Sequence, residues 1–173
     1  MKDALIAIAE YNRNANLRLV GILEGLSPAV LKEDQGSFYK SIQATLEHIC
    51  MAEISWLRRF KGFFSYPSLA ASATLASENA ELKQRVGDDP KKLFALLAEV
   101  DGLLAAFAGE LNEKDLESRV KYKNIKGEEL ERTYWHTIFH ILNHSTHHRG
   151  EISALLDRKG VANDYAGFTL YTK

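Results

Sequence analysis

Histidines are concentrated near the end of the chain, where five of the six lie between His136 and His148. Four of them recur at every fourth position, as His136, His140, His144 and His148. In a helix, such neighbours lie one turn apart, with their Cβ atoms about 5–6 Å from each other. Two imidazoles at this separation can bind one metal ion at about 2.0–2.1 Å. The spacing predicts a metal site, but it leaves three HxxxH pairs open.

The apolar residues of the same helix distinguish these pairs. At 100° per residue, they centre about 170° from His136 on a helical wheel. His144 and His148 lie on the flank of that apolar face, whereas His136 and His140 point away from it. A pair on the flank can be desolvated and still be reached from outside, so His144 and His148 are favoured as ligands. The alternative, that both histidines only form hydrogen bonds between helices, stays open.

A third ligand is expected from another helix, because two histidines alone bind a metal weakly. His48 is the remaining histidine, and it lies beside the apolar stripe of its own helix, among small side chains. Glu53 lies near the middle of that stripe, where a buried carboxylate needs a partner. We predict that Glu53 accepts a hydrogen bond from a ligand ring or forms an ion pair with Arg149. The alternative is that Glu53 forms a salt bridge with a purely structural role.

Long amphipathic helices are predicted to position these residues. Ser27-Pro28 and Asp89-Pro90 each combine an N-cap residue with proline at the first helical position. The alternating segment Arg119–Gly127 predicts a small β-hairpin. The fold class is therefore all-α, a four-helix bundle with a hairpin in the crossover before the last helix. The long helices are predicted at about residues 3–26, 37–64, 90–107 and 129–159, and residues 67–87 are compatible with helix.

Length and composition restrict the class of protein. The 173 residues fit one domain, residues 1–173, that needs no disulfide to bury a core. A net charge of -1 provides no field that would attract nucleic acid or an anionic membrane. The single cysteine, Cys50, excludes an internal disulfide within this sequence. The first residues include acidic side chains and no long apolar run, so we expect neither a signal peptide nor a membrane span. We therefore expect a cytoplasmic protein without nucleic-acid or membrane partners.

Several stretches of the sequence resemble the DinB family of damage-inducible proteins. They are Tyr11–Leu19, Ser41–His48 with Trp56–Phe60, and Asn143–Gly150, which ends in His-His-Arg-Gly. The resemblance covers nearly the whole chain. It implies an up-down-down-up four-helix bundle that is often dimeric, so we expect a homodimer.

The resemblance also implies a metal triad, which corresponds here to His48, His144 and His148. Glu47 stands where the family commonly has Asn, and Glu53 stands where Asp is commoner, which changes the polarity near the site. The ion would be Zn²⁺ or Ni²⁺ with an open coordination position, where a bound water or a thiolate would act.

The family includes bacillithiol transferases and a mycothiol-dependent maleylpyruvate isomerase. The resemblance therefore implies a metal-dependent thiol transferase or isomerase that acts on a small molecule, with a low-molecular-weight thiol as cosubstrate. Two alternatives remain. One is a non-catalytic, metal-binding, dimeric bundle that acts in a stress response, and the other is a metal-dependent hydrolase. The sequence offers Glu53 and Arg149 as residues that could support the ligands. It offers no evident general base beyond Glu47 or Glu53, which favours the non-catalytic alternative.

Overall fold

The computed structural model describes residues 1–171, which are mostly helical with one small antiparallel sheet. The four long helices are α1 (Lys2–Leu23), α3 (Ile42–Phe63), α7 (Pro90–Glu110) and α9 (Tyr134–Asp157). Shorter helices connect them: α2 (Pro28–Lys32), α4 (Pro67–Ala71), α5 (Ala73–Ala76), α6 (Asn79–Val86) and α8 (Glu113–Leu116). The strands β1 (Arg119–Lys123) and β2 (Glu129–Thr133) precede α9, and a 3-10 turn (Phe168–Leu170) follows it. The prediction of a largely helical protein is confirmed.

Side-chain caps determine where several of these helices begin. Ser27 and Asp89 accept backbone N–H groups at the starts of α2 and α7, as predicted. The prediction that α3 begins at Ser37 is wrong, because Ser41 accepts the N–H of Ala44 at 3.1 Å and caps the helix there. The residues between α2 and α3 therefore form a loop.

The predicted hairpin before the last helix is confirmed. Val120 pairs with Arg132 and Tyr122 with Leu130, so these four side chains share one face of the sheet. The last helix was expected to begin near Glu129, but residues 129–133 pair with β1 instead, and α9 begins after them. Strand pairing thus decides the structure of residues whose sequence is also compatible with helix.

The long helices pack around a shared apolar core. Helix α1 contacts α7 and α9, and α3 contacts the same two helices. Leu19, Leu46, Leu97 and Ile152, one from each long helix, are all buried there. Within residues 1–171, no helix is both long and apolar enough to cross a membrane. The packing of α3 against α9 positions the candidate site.

Candidate metal centre

Three histidine rings from two helices converge on one point. The Nε2 atom of His144 lies 3.0 Å from Nε2 of His48 and 3.1 Å from Nε2 of His148. One ring nitrogen of each residue lies within 4.8 Å of the others. We refer to His48, His144 and His148 as the histidine cluster. The structure thus brings together the three residues that were selected from the sequence.

Helix geometry explains the convergence. His144 and His148 lie on adjacent turns of α9, and their ring centroids are 4.4 Å apart. His48 on α3 faces them, with its ring centroid 4.9 Å from that of His144 and 4.7 Å from that of His148. His148 is only 7% exposed, and the other two rings are half-buried. The flank position predicted from the helical wheel of α9 matches this partial burial.

Burial favours the neutral form of the imidazoles. It lowers the pKa of His144 to about 4, with a smaller contribution from the charge of His148. Burial also lowers the pKa of His48, again with a contribution from His148. Both rings are therefore neutral at pH 7, and each can offer a nitrogen lone pair to a metal ion.

The geometry and chemistry of the cluster fit a divalent metal ion. A tetrahedral ion with bonds of about 2.0–2.1 Å holds its nitrogen ligands about 3.3–3.4 Å from one another. The two Nε2 separations of 3.0 and 3.1 Å are close to that value. Neutral imidazole is also a common ligand for transition metals. The cluster could therefore hold a metal ion.

Glu151 fixes the orientation of one ring of the cluster. The Nδ1 atom of His148 lies 2.7 Å from a carboxylate oxygen of Glu151, whose other oxygen lies 3.1 Å from Nε2 of His147. A carboxylate on Nδ1 directs Nε2 of the same ring towards the cluster and raises its basicity. Glu151 is not among the residues predicted from the sequence, although an acidic residue three positions after a histidine on a helix is a visible signal.

Tyr39 contacts the histidine cluster from the loop before α3. Its hydroxyl is 2.9 Å from Nε2 of His48, and its ring stacks on the imidazole with centroids 4.2 Å apart. Burial raises the pKa of Tyr39, and the charge of Glu151 raises it further, so the hydroxyl keeps its proton at neutral pH. The sequence predicts Tyr39 inside α3, whereas the cap at Ser41 leaves it in the loop before α3.

Glu53 and Arg149 belong to a separate buried polar cluster. A carboxylate oxygen of Glu53 accepts hydrogen bonds from Asn12 Nδ2 at 3.0 Å and from Ser145 Oγ at 2.7 Å. Arg149 donates to the side-chain oxygens of Asn12 and Asn16. Among residues 1–171, neither Glu53 nor Arg149 forms a hydrogen bond to the histidine cluster, and no ion pair of 4 Å or less joins them to each other. The carboxylate that contacts a ring of the histidine cluster is that of Glu151.

Asp101 completes the buried polar cluster. It accepts hydrogen bonds from Asn12 Nδ2 at 3.0 Å and from Asn16 Nδ2 at 2.8 Å. Burial raises the pKa of Asp101 well above its usual range, and the nearby charge of Glu53 adds to this shift. Burial likewise raises the pKa of Glu53. We use the name buried polar cluster for Asn12, Asn16, Glu53, Asp101 and Arg149, which contains two carboxylates and one guanidinium.

Fold and site together define a helical protein with a histidine cluster that could bind a metal between two helices. A sequence model of the DinB family matches residues 1–173, and the chain belongs to that family. A curated relative, Protein DinB of Bacillus subtilis (strain 168), is 27% identical over 171 residues, which cover 99% of this chain and 95% of the relative. No solved structure matches the chain.

Proposed function

We propose that the histidine cluster binds one divalent metal ion, Zn²⁺ or Ni²⁺, through His48, His144 and His148. The observation that carries this proposal is the convergence of three Nε2 atoms, with separations of 3.0 and 3.1 Å, from two helices. Three protein ligands leave one position of a tetrahedral ion free, which is typical of catalytic rather than structural sites. The low pKa of His144 and His48 supports the proposal, because their lone pairs are available at neutral pH.

The activity that we propose is thiol transfer or isomerisation with a low-molecular-weight thiol as cosubstrate. A bound ion would supply Lewis acidity and stabilise the thiolate form of such a thiol. Glu151 would hold the ring of His148 in its ligating orientation. The hydroxyl of Tyr39, next to His48, would donate a hydrogen bond to a group that occupies the free position of the ion. Membership of the DinB family supports this choice over hydrolysis.

A turnover screen tests this activity. Low-molecular-weight thiols and electrophiles would be incubated with the protein at a constant metal concentration. Loss of free thiol would report transfer, and conversion of the electrophile at constant thiol would report isomerisation. We expect turnover by the wild type and by His147→Ala, which removes an exposed ring outside the histidine cluster, but none by folded His144→Ala. Metal binding without turnover in any pair would instead support a non-catalytic metal-binding protein.

Replacement of Glu151 by alanine is expected to weaken metal binding by about 10–100-fold, because the ring of His148 loses its orienting carboxylate. Calorimetric titration of metal-stripped protein with Zn²⁺ measures this change. His147→Ala is the matched control, since it removes the other, exposed partner of Glu151 and leaves the bond to His148 intact. Equal affinities of Glu151→Ala and the wild type would show that the carboxylate does not support the site.

We further propose that the whole chain, residues 1–173, is one domain in which α1, α3, α7 and α9 form an up-down-down-up four-helix bundle. The contacts of α1 and α3 with both α7 and α9 support this arrangement. The homodimer and the cytoplasmic location stay predictions.

A further inference from the structure

A cavity of about 280 Å³ lies beside the histidine cluster, where the hairpin meets α3 and α9. One of its walls is His140, whose ring centroid is 6.2 Å from that of His144. The cavity therefore opens one helical turn from the proposed metal ligands. The metal proposal gives it no role. The residues that line it are Trp56, Tyr122, Arg132, His136, Thr137 and His140.

One side of the cavity is a continuous aromatic wall. The ring centroid of Trp56 lies 5.1 Å from that of Tyr122 and 5.4 Å from that of His140. Arg59 packs over Trp56 at 5.0 Å and over Tyr122 at 5.9 Å, and it also donates to Ser55 Oγ at 2.7 Å. Arg59 is therefore engaged and helps to fix the wall. Such a surface favours stacking by a flat, unsaturated ligand.

The lining of the cavity also includes a cation, Arg132, on the same face of the hairpin as Tyr122. On the opposite face of the hairpin, Arg119 pairs with Glu131 and Lys121 with Glu129, both at 3.6 Å. No carboxylate within residues 1–171 pairs with Arg132, whose side-chain hydrogen bond goes to the backbone oxygen of Glu131 at 2.8 Å. A guanidinium has five N–H donors, so most remain available to a ligand. None of the lining residues is acidic.

We propose that this cavity binds a small, planar carboxylate, an aromatic or conjugated acid. Its carboxylate pairs with Arg132, because a guanidinium matches the two oxygens of a carboxylate in a forked geometry. Its flat body packs on Trp56 and Tyr122 and extends towards His140, beside the histidine cluster. The identity of this acid as the substrate rests on the proposed function, whereas its binding requires no metal.

Chemical-shift titration of metal-stripped protein with benzoate tests the proposal. We expect shifts at Trp56, Tyr122 and Arg132, and a Kd at least about tenfold higher for Arg132→Gln. Lys121→Gln is the matched control, because it removes the same charge from the outer face of the hairpin and should leave the Kd within about twofold. Benzamide has the same ring without the charge, and it should bind at least about tenfold more weakly than benzoate.

The proposal would be overturned by the same benzoate affinity in Arg132→Gln and wild type, or by equal binding of benzamide and benzoate. Absence of benzoate binding would overturn it as well. Because the titration omits metal, its failure is distinguishable from failure of the metal site, which Zn²⁺ titration measures separately. Substitution of Arg132, an exposed residue, leaves the core intact, so loss of binding would not reflect unfolding.

Discussion

Replacement of Arg149 by methionine is expected to lower the free energy of unfolding at pH 7 by about 3–5 kcal/mol. The side chain is 1% exposed and is the guanidinium of the buried polar cluster. Its loss leaves Glu53 and Asp101 buried without a compensating cation. Each carboxylate can then bind a proton instead of staying charged. Protonation at pH 7 costs about 1.4 kcal/mol for each pH unit above the usual carboxyl pKa near 4. The loss of stability is therefore limited to about 4 kcal/mol per group.

The raised pKa values of the two buried carboxyl groups also determine how the stability depends on pH. Burial raises the folded-state pKa of Glu53 and Asp101 above the unfolded value, so their contribution to stability is present at low pH and is lost as the pH rises through the raised pKa. Without Arg149, the folded-state pKa values rise further, and this loss grows. The difference between Arg149→Met and the wild type should therefore be small near pH 4–5 and large at pH 7.

Urea unfolding at several pH values measures this effect. Arg85→Met is a suitable control, because Arg85 pairs with Glu99 at 3.0 Å while both side chains are about half exposed. Its effect should stay below about 1 kcal/mol. An equal effect of the two substitutions at pH 7 would contradict the role assigned to the buried polar cluster.

Replacement of His144 by alanine is expected to remove most of the stabilisation of the protein by Zn²⁺. A ligand that binds only the folded state at about 100 times its Kd adds about 2.7 kcal/mol to the free energy of unfolding. His144 is the central ring of the histidine cluster, with its Nε2 atom next to both of the others. A loss of affinity of at least about 100-fold would reduce this stabilisation to about 0.4 kcal/mol at the same Zn²⁺ concentration.

Urea unfolding with Zn²⁺ and with a chelator measures the stabilisation directly. His140→Ala is the matched control, since His140 lies one turn earlier on α9 and outside the histidine cluster. It should keep the stabilisation seen in the wild type. Zn²⁺ stabilisation that persists in His144→Ala, or that disappears equally in both variants, would contradict the proposed ligand set.

Short-range patterns in the sequence were sufficient to predict several parts of the structure. Helical periodicity selected His144 and His148, because the flank of an apolar stripe corresponds to partial burial. The caps at Ser27 and Asp89 are local interactions and were visible in the sequence. His48 was supported mainly by the family resemblance, because its position on a helical wheel does not show which helix it faces.

Other parts depend on contacts between distant segments, which a single sequence does not reveal. Ser37 and Ser41 are both acceptable caps, and the choice of Ser41 determines that Tyr39 lies in a loop beside His48. Glu53 was correctly expected to be buried, but its partners, Asn12 and Ser145, come from two other helices. Asp101 belongs to the same buried polar cluster, and nothing in its local sequence indicates this.

Calorimetric titration of metal-stripped, untagged protein with Zn²⁺ and Ni²⁺ tests the central claim most directly, when wild type and His48→Ala are compared. His48 joins the site from a different helix, so it separates a three-ligand centre from a simple HxxxH pair on α9. We predict one ion per chain for the wild type and an affinity at least about 100-fold lower for His48→Ala. No binding by the wild type, or the same affinity in both proteins, would contradict the claim that the three histidines hold one metal ion.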